Sequence, residues 1–236
     1  MPDSRPPVDR PAPWIIGHRG VAAEETENTL ASLLLAVRQR ADMIELDVQM
    51  AGDGDLVVFH DWDLERLAGR PEVVEESPAD LLRGFMPVMP TLRQVLDELP
   101  ETMPLNVEIK RKSADPSELA RRLGATLGAR PRILVSSFDW EVLAAVRSEL
   151  PSLAIGPLAH DSTDGLLDVA SDLDSWSVHC HHEIADDELL DEARRAERPV
   201  LVYTVNEDES VRELFRRGVS GVFTDTPGRL RARLGL

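Results

Sequence analysis

The chain has 236 residues, 42% of them hydrophobic, with 26 basic against 43 acidic residues and a formal net charge of −17. This charge argues against non-specific binding to nucleic acid, whose phosphates need a basic surface, and against attraction to an anionic membrane. The length suits a single α/β barrel, no apolar run is long enough to span a bilayer, and one cysteine allows no internal disulfide. We therefore expect a cytoplasmic enzyme or binder without stable membrane association.

Strand and helix patterns begin after residues 1–13, a polar, proline-rich tail that lacks the apolar core of a secretory signal and is predicted to be disordered. Trp14–Gly17 is an apolar run too short for a helix, and we predict a strand. Apolar residues at helical spacing predict a helix over Glu27–Arg40. Alternation predicts a second strand over Met43–Gln49, and Leu56–His60 is predicted to pair with it or extend it.

The segment Asp61–Met103 is the least regular part of the chain and contains five prolines. Short helices are predicted there at Pro78–Leu82 and Leu92–Leu99. After this segment, strands and helices alternate regularly. The predicted strands are Leu105–Ile109, Ile133–Ser136, Leu153–Gly156, Ser175–Cys180, Val200–Thr204 and Gly221–Thr224, and the predicted helices are Pro116–Leu127, Trp140–Leu150, Thr163–Leu173, Asp186–Glu197, Asp208–Arg217 and Pro227–Leu234.

This repetition of strand and helix requires parallel strands joined by right-handed crossovers. With the runs that begin at residues 14 and 43, the pattern contains eight strands. It favours an α/β fold of the (β/α)8 type, a TIM barrel, over residues 14–236, with an insertion at about 61–103 after the second strand. A doubly wound open sheet is the alternative, but no glycine-rich phosphate loop follows the first strand.

Acidic residues occupy strand positions near the carboxyl ends, where barrel enzymes place their chemistry. Alternation puts Glu45 and Asp47 on one face of the second strand, and Glu108 lies near the end of the third. A Glu-x-Asp pair alone is typical of a solvated strand face. Because buried carboxylates repel one another and lose hydration, three of them together usually need a compensating cation. The pattern therefore predicts a divalent-metal site.

Two histidines and two cationic residues fall at the same rim of the predicted barrel. His18 and Arg19 end the first strand. His60 ends the extension of the second strand, and Lys110 follows the third. Taken singly, His18 could cap a helix or fill the core, and Lys110 could belong to a solvated basic turn. Because they lie together on neighbouring strands, we interpret them as residues of a catalytic site.

Short motifs recur at these positions in a defined order. They are His-Arg-Gly at 18–20, Glu-Asn-Thr at 27–29, Glu-x-Asp at 45–47, His-Asp at 60–61, Glu-Ile-Lys at 108–110, Ser137-Phe138, Thr204-Val205-Asn206 and Gly218–Asp225. Together they resemble the motifs of the glycerophosphodiester phosphodiesterase family. The resemblance implies a (β/α)8 barrel with an insertion after the second strand, in agreement with the element pattern.

The resemblance also implies a cofactor and an acid–base pair. Glu45, Asp47 and Glu108 would hold one divalent cation, Mg²⁺ or Ca²⁺. Oxygen-only ligands independently favour such hard ions over zinc. His18 and His60 would act as general acid and general base, a task that suits imidazole because it titrates near neutral pH.

The implied substrate is a small glycerophosphodiester, cleaved to sn-glycerol 3-phosphate and an alcohol. In the implied mechanism, a glycerol hydroxyl attacks phosphorus and water then opens the cyclic phosphate. Arg19 and Lys110 would bind the phosphoryl oxygens and supply the positive potential that the net charge withholds. Tyr203 stands where family members often carry tryptophan. It could pack against the glycerol, or be a core tyrosine with a hydrogen-bonded hydroxyl.

Other histidines allow further interpretations. His179, His181 and His182 flank Cys180, but histidine tracts without a second cysteine pair rarely form structural zinc sites. We expect them to be rim residues that shape the pocket for the leaving group. His160 with the aspartate after it is expected to be a loop pair and not a third catalytic unit.

Two rival functions share these residues. One is lysophospholipase D-like cleavage, in which the substrate carries an acyl chain and requires an apolar groove. The other is a non-catalytic sugar-phosphate-binding barrel. A barrel that had lost activity need not keep both His18 and His60, so their presence favours an enzyme.

Overall fold

Among the residues that the structure describes, 7–8 and 11–236, eight parallel strands form a closed barrel. The structure is a computed structural model. Of the tail predicted over residues 1–13, residues 1–6 and 9–10 lie outside the described residues. The strands are β1 (Trp14–Gly17), β2 (Met43–Met50), β3 (Leu56–Val58), β4 (Leu105–Ile109), β5 (Ile133–Ser137), β6 (Ala154–Ala159), β7 (Val178–His181), β8 (Val200–Tyr203) and β9 (Gly221–Thr224).

Parallel pairing between successive barrel strands runs all the way round the ring. β2 pairs with both β1 and β4, and the order continues through β9, which pairs with β1 and closes the barrel. β3 lies outside the ring and is antiparallel to β2, with Val58 opposite Val48. The predicted TIM barrel is confirmed, and the open sheet is excluded.

Helices connect the strands on the outside of the barrel. Several begin at a side chain that caps the first turn: Thr29, Asp115 and Asp186 each accept a hydrogen bond from a backbone amide three residues later. The helices are α1 (Leu30–Arg38), α2 (Glu65–Ala68), α3 (Ala79–Phe85), α4 (Leu92–Glu98), α5 (Pro116–Leu127), α6 (Trp140–Glu149), α7 (Leu166–Asp172), α8 (Asp187–Arg195), α9 (Asp208–Arg217) and α10 (Pro227–Leu234).

The interior of the barrel is largely apolar at the amino-terminal end of the strands and polar at the carboxyl end. Trp14, Ile16, Met43, Leu134 and Leu201 pack together as a buried cluster inside the ring. Further along the same strands, inward positions carry carboxylates and histidines. This division closes the bottom of the barrel and places the polar residues at the open rim.

The predicted insertion forms a small layer with its own core. Leu64, Val74, Leu82 and Met89 of the insertion are buried in one cluster with Val57 and Phe59. Because Val57 belongs to β3, this cluster attaches the insertion to that strand. Across the described part of the chain, no helix has the length and apolar character needed to cross a membrane.

Some predicted boundaries differ from the structure. α1 begins at Leu30 and not at residue 27, because Thr29 caps it. β6 continues past Gly156 to Ala159, since Pro157 is accommodated in the strand. Helix α2 and two 3₁₀ turns, Val74–Glu76 and His182–Ile184, are too short to show a periodic pattern in the sequence.

Candidate active site

Three acidic side chains meet at the carboxyl end of the barrel. Glu45 and Asp47 project inward from β2, and Glu108 projects inward from the adjacent strand β4, where it is paired in register with Asp47. One ligand oxygen from each residue lies within 4.8 Å of the others. Glu45 is 2% exposed and Asp47 is 1% exposed. The structure therefore gathers the three predicted metal ligands in one place.

Burial and mutual repulsion affect the protonation of these acids. Burial, followed by the charges of Asp47 and Glu108, raises the pKa of Glu45 well above its usual value. Burial and the charge of Asp47 also raise the pKa of Glu108. Burial opposes the ionised form of Asp47 as well, but Lys110 and Arg19 more than offset it and lower its pKa. The close approach of three carboxylates therefore disfavours the ionised form of both glutamates when no cation is bound.

The donor set fits a hard divalent cation. All three candidate ligands are carboxylates, which suit magnesium or calcium. Glu45 Oε2 accepts a hydrogen bond from the Arg19 amide at 2.7 Å. Glu45 Oε1 is buried and has no hydrogen-bond partner among the described residues. A buried carboxylate oxygen without a donor is a suitable ligand for a cation.

Each of the two predicted catalytic histidines binds an aspartate. His18 Nδ1 lies 2.7 Å from Asp225 Oδ1, and His60 Nδ1 lies 2.7 Å from Asp61 Oδ1. Hydrogen bonds from the rings help to lower the pKa of both aspartates against the effect of burial, so the carboxylates accept and the imidazoles donate. Both histidines line the same cavity as Glu45. Burial lowers the pKa of His60.

Arg19 and Lys110, the predicted phosphate-binding residues, also line this cavity. Arg19 Nε lies 3.2 Å from Asp47 Oδ2. Lys110 Nζ lies 2.8 Å from Glu108 Oε1 and 3.5 Å from Asp47 Oδ1. Both cations are therefore paired with the acidic cluster, at positions where they can also face an anion in the cavity.

The wall opposite the acids is largely aromatic. Tyr203 lines the cavity, and its hydroxyl donates to the Ala159 carbonyl at 2.7 Å. Phe138 packs edge-on against Tyr203 with 5.9 Å between ring centroids. The cavity has a volume of about 340 Å³, enough for a small phosphodiester. Its remaining lining residues on this side are Leu158, His160, His181, Thr204 and Phe223.

Comparison with known proteins assigns the chain to a family. Residues 18–229 match the glycerophosphoryl diester phosphodiesterase family. The chain belongs to this family. The expected enzyme class, a phosphoric diester hydrolase, is thereby confirmed.

Relatives of this phosphodiesterase match it over nearly its whole length. A glycerophosphodiester phosphodiesterase from Caldanaerobacter subterraneus is 26% identical over 228 residues, or 90% of this chain and 94% of that protein. The structure of an Oleispira antarctica phosphodiesterase in complex with the product sn-glycerol-3-phosphate has a TM-score of 0.88 at 26% identity, covering 95% of this chain and 97% of that one. A glycerophosphodiester phosphodiesterase from Thermotoga maritima has a TM-score of 0.82 at 27% identity, with coverage of 95% and 99%.

The other histidines of this family member are not arranged as the sequence suggested. His179 is fully buried inside the barrel, where it hydrogen-bonds Ser177, so the expectation that it lies at the rim is wrong. Alternation predicts which face of the strand carries His179, but not its depth in the barrel. His181 lines the cavity as expected. His160, expected to be a loop pair with the aspartate after it, lines the cavity as well, and the exposed His182 is not among the lining residues. Over the described residues, the metal-compatible cluster found is the acidic one and contains no histidine.

Sequence reasoning assigned no role to several residues that hold the site together. Asn28 Nδ2 donates to Asp47 Oδ2 at 2.8 Å, and Asn28 Oδ1 accepts from the Asp47 amide at 3.1 Å. Glu27 accepts from Arg19 at 2.8 Å. Glu27 and Asn28 both lie in the Glu-Asn-Thr motif at 27–29, and this motif was the sequence feature that could have indicated their role. Asp225 ends the Gly218–Asp225 motif, whereas Arg66 lies in no motif of the sequence.

Proposed function

We propose that this chain is a metal-dependent phosphodiesterase that hydrolyses small glycerophosphodiesters to sn-glycerol 3-phosphate and an alcohol. One observation carries the proposal: in a group of three close carboxylates, Glu45 and Glu108 line the same cavity as two imidazoles, each bound to an aspartate. The Oleispira relative, which holds sn-glycerol-3-phosphate in its structure, supports the proposed product.

Glu45, Asp47 and Glu108 would hold the cation, Mg²⁺ or Ca²⁺. When bound, the cation supplies positive charge that stabilises the phosphoryl group as negative charge develops on it. Arg19 and Lys110 add to this charge at the edge of the cluster. Together they create a locally positive site in an acidic protein.

His18 and His60 would carry out the proton transfers. Because each ring donates through Nδ1 to an aspartate, Nε2 is the atom available to substrate. In the first step one ring takes the proton of a glycerol hydroxyl, whose oxygen attacks phosphorus. The other ring, protonated, donates to the oxygen of the departing alcohol. The first step leaves a cyclic phosphate on glycerol. In the second step the ring that was left neutral takes a proton from water as the water attacks phosphorus, and the other ring returns a proton to the glycerol oxygen whose bond to phosphorus breaks.

Release of product from defined substrates tests the proposal. Purified protein with glycerophosphocholine or glycerophosphoethanolamine and Mg²⁺ or Ca²⁺ should release sn-glycerol 3-phosphate, measured by a coupled dehydrogenase assay. Chelation should abolish turnover, and added cation should restore it. His18→Ala and His60→Ala should each lower kcat by about 10²–10⁴-fold. The exposed His182→Ala is the matched control and should keep normal turnover.

Cation binding can be measured without turnover. A cation that binds the folded protein should raise the melting temperature of the wild type. Glu45→Gln should lose most of this rise, since it removes one ligand charge. Turnover that survives chelation would refute the metal site. Cleavage of lysophosphatidylcholine in preference to glycerophosphocholine would favour the lysophospholipase D-like reading.

A further inference from the structure

Arg66 of helix α2, in the insertion, bonds two acids beside the active site. Its Nε donates to Asp61 Oδ2 at 2.6 Å. Its two terminal nitrogens donate to the two carboxylate oxygens of Glu27 at 3.0 and 2.6 Å. The guanidinium therefore joins two acids that are 34 residues apart in the chain.

Each of these acids also holds a residue of the candidate active site. Glu27 Oε1 accepts from an Arg19 terminal nitrogen at 2.8 Å. Asp61 Oδ1 accepts from His60 Nδ1 at 2.7 Å. Arg66 thus lies one side chain away from both a predicted phosphate-binding residue and a predicted acid–base residue.

The arrangement differs from an ordinary surface ion pair. The Arg66 side chain is 48% exposed, but Glu27 is only 16% exposed. Burial alone would raise the pKa of Glu27, yet the hydrogen bonds and charges of Arg66 and Arg19 lower it. The planar fork of arginine can bind both acids at once, a geometry that the single ammonium group of lysine cannot reproduce.

We propose that Arg66 is a positioning residue that fixes Arg19 and His60 in the active site at the same time. The inference rests on the proposed function, because it acts on substrate binding through Arg19 and on proton transfer through His60. Without Arg66, Glu27 and Asp61 lose their shared donor and can change rotamer. Arg19 and His60 would then be bonded to carboxylates that are no longer held in one orientation.

Kinetics of two Arg66 variants and one control variant test the role. Arg66→Gln should lower kcat for glycerophosphocholine by about tenfold or more and raise KM, because small misplacements of reacting groups cost up to about 10²-fold. Arg66→Lys should recover little of this loss. The matched control is Arg70→Gln: Arg70 is 43% exposed and pairs with Glu72 in the same insertion. It should keep the wild-type kcat and KM.

Two further measurements distinguish positioning from a general structural effect. Calorimetric titration with sn-glycerol 3-phosphate needs no turnover, and Arg66→Gln should weaken this binding several-fold through Arg19. In a double-mutant cycle, the effect of Arg66→Gln on kcat should largely disappear when His60 is already alanine, because Arg66 affects proton transfer through His60.

The outcomes separate this inference from the proposed function. An active wild type with unchanged kcat, KM and product affinity in Arg66→Gln would overturn the positioning role and leave the proposed function intact. An equal effect of Arg66→Gln on kcat with and without His60 would overturn it as well. A wild type that cleaves no glycerophosphodiester would refute the proposed function, and the calorimetric comparison would still decide whether Arg66 positions Arg19.

Discussion

The two histidines of the site are fixed in the same way by acids from very different places in the sequence. Asp61 directly follows His60, whereas Asp225 is 207 residues from His18. Asp225 is itself held by Asn206, whose Nδ2 donates to Asp225 Oδ2 at 2.7 Å. Because these hydrogen bonds lower the pKa of Asp225 against the effect of burial, the carboxylate stays an acceptor. His18 is therefore held with its proton on Nδ1.

Asp225→Asn should separate this orienting role from simple packing. The asparagine amide can donate to Nδ1 and so stabilise the wrong tautomer of His18. We expect kcat to fall by about 10²-fold or more, with a small change in KM. Steady-state kinetics on glycerophosphocholine measures both. Asp168→Asn, an exposed position on α7, should have no effect. Normal kcat in Asp225→Asn would contradict the role.

At the scale of strands, the packing of β6 against β7 depends on a missing side chain. A Cβ atom at Gly156 would lie 2.7 Å from both His179 Nε2 and Ser177 Oγ. These two side chains are 2.9 Å apart, hydrogen-bonded and fully buried. Glycine is therefore required at position 156 by the space inside the barrel and not by its backbone conformation.

Alanine substitution at two glycines should have opposite effects on stability. Gly156→Ala should lower the free energy of unfolding by about 1–3 kcal/mol, since the interior cannot take another methyl group without displacing His179. Gly84→Ala, in helix α3, should raise it by about 0.5–1 kcal/mol, because alanine is the better helix former. A Cβ at Gly84 meets no atom within 4 Å among the described residues. Urea unfolding measures both, and a shift of the same sign in the two variants would contradict the argument.

Some elements of the insertion can be predicted from the sequence and others cannot. Its prolines predict irregular structure, and α4 was expected within one residue of its observed bounds. Helix α2 has four residues, which is too few for a periodic signal. Its importance comes from Arg66, whose partners Glu27 and Asp61 are set by the path of the chain in three dimensions.

For the whole molecule, the barrel could be predicted because the sequence pattern of strand and helix is local and repeats along the chain. Strand bounds for β1, β4 and β9 match the prediction, since each is a short apolar run between clear breaks. Glu45 and Glu108 could be placed at one rim because parallel strands present their carboxyl ends together. The contact between His18 and Asp225 could not be predicted, because it depends on how the barrel closes from β9 to β1.

The stability of the whole molecule should fall in acid partly through His179. Burial in the barrel lowers the pKa of His179 from its usual 6.5 to about 3, so between these values the unfolded chain binds a proton that the folded chain does not. This contribution is fully present above about pH 6.5 and is lost as pH falls, at up to about 1.4 kcal/mol per pH unit.

Urea unfolding at about pH 7 and about pH 5 measures this contribution. Between these two pH values, the free energy of unfolding should fall less in His179→Gln than in the wild type, by up to about 1.4 kcal/mol for each pH unit below about 6.5. His182→Gln, which changes an exposed ring, should retain the wild-type dependence. Equal pH dependence in the wild type and His179→Gln would show that the buried ring does not set acid stability.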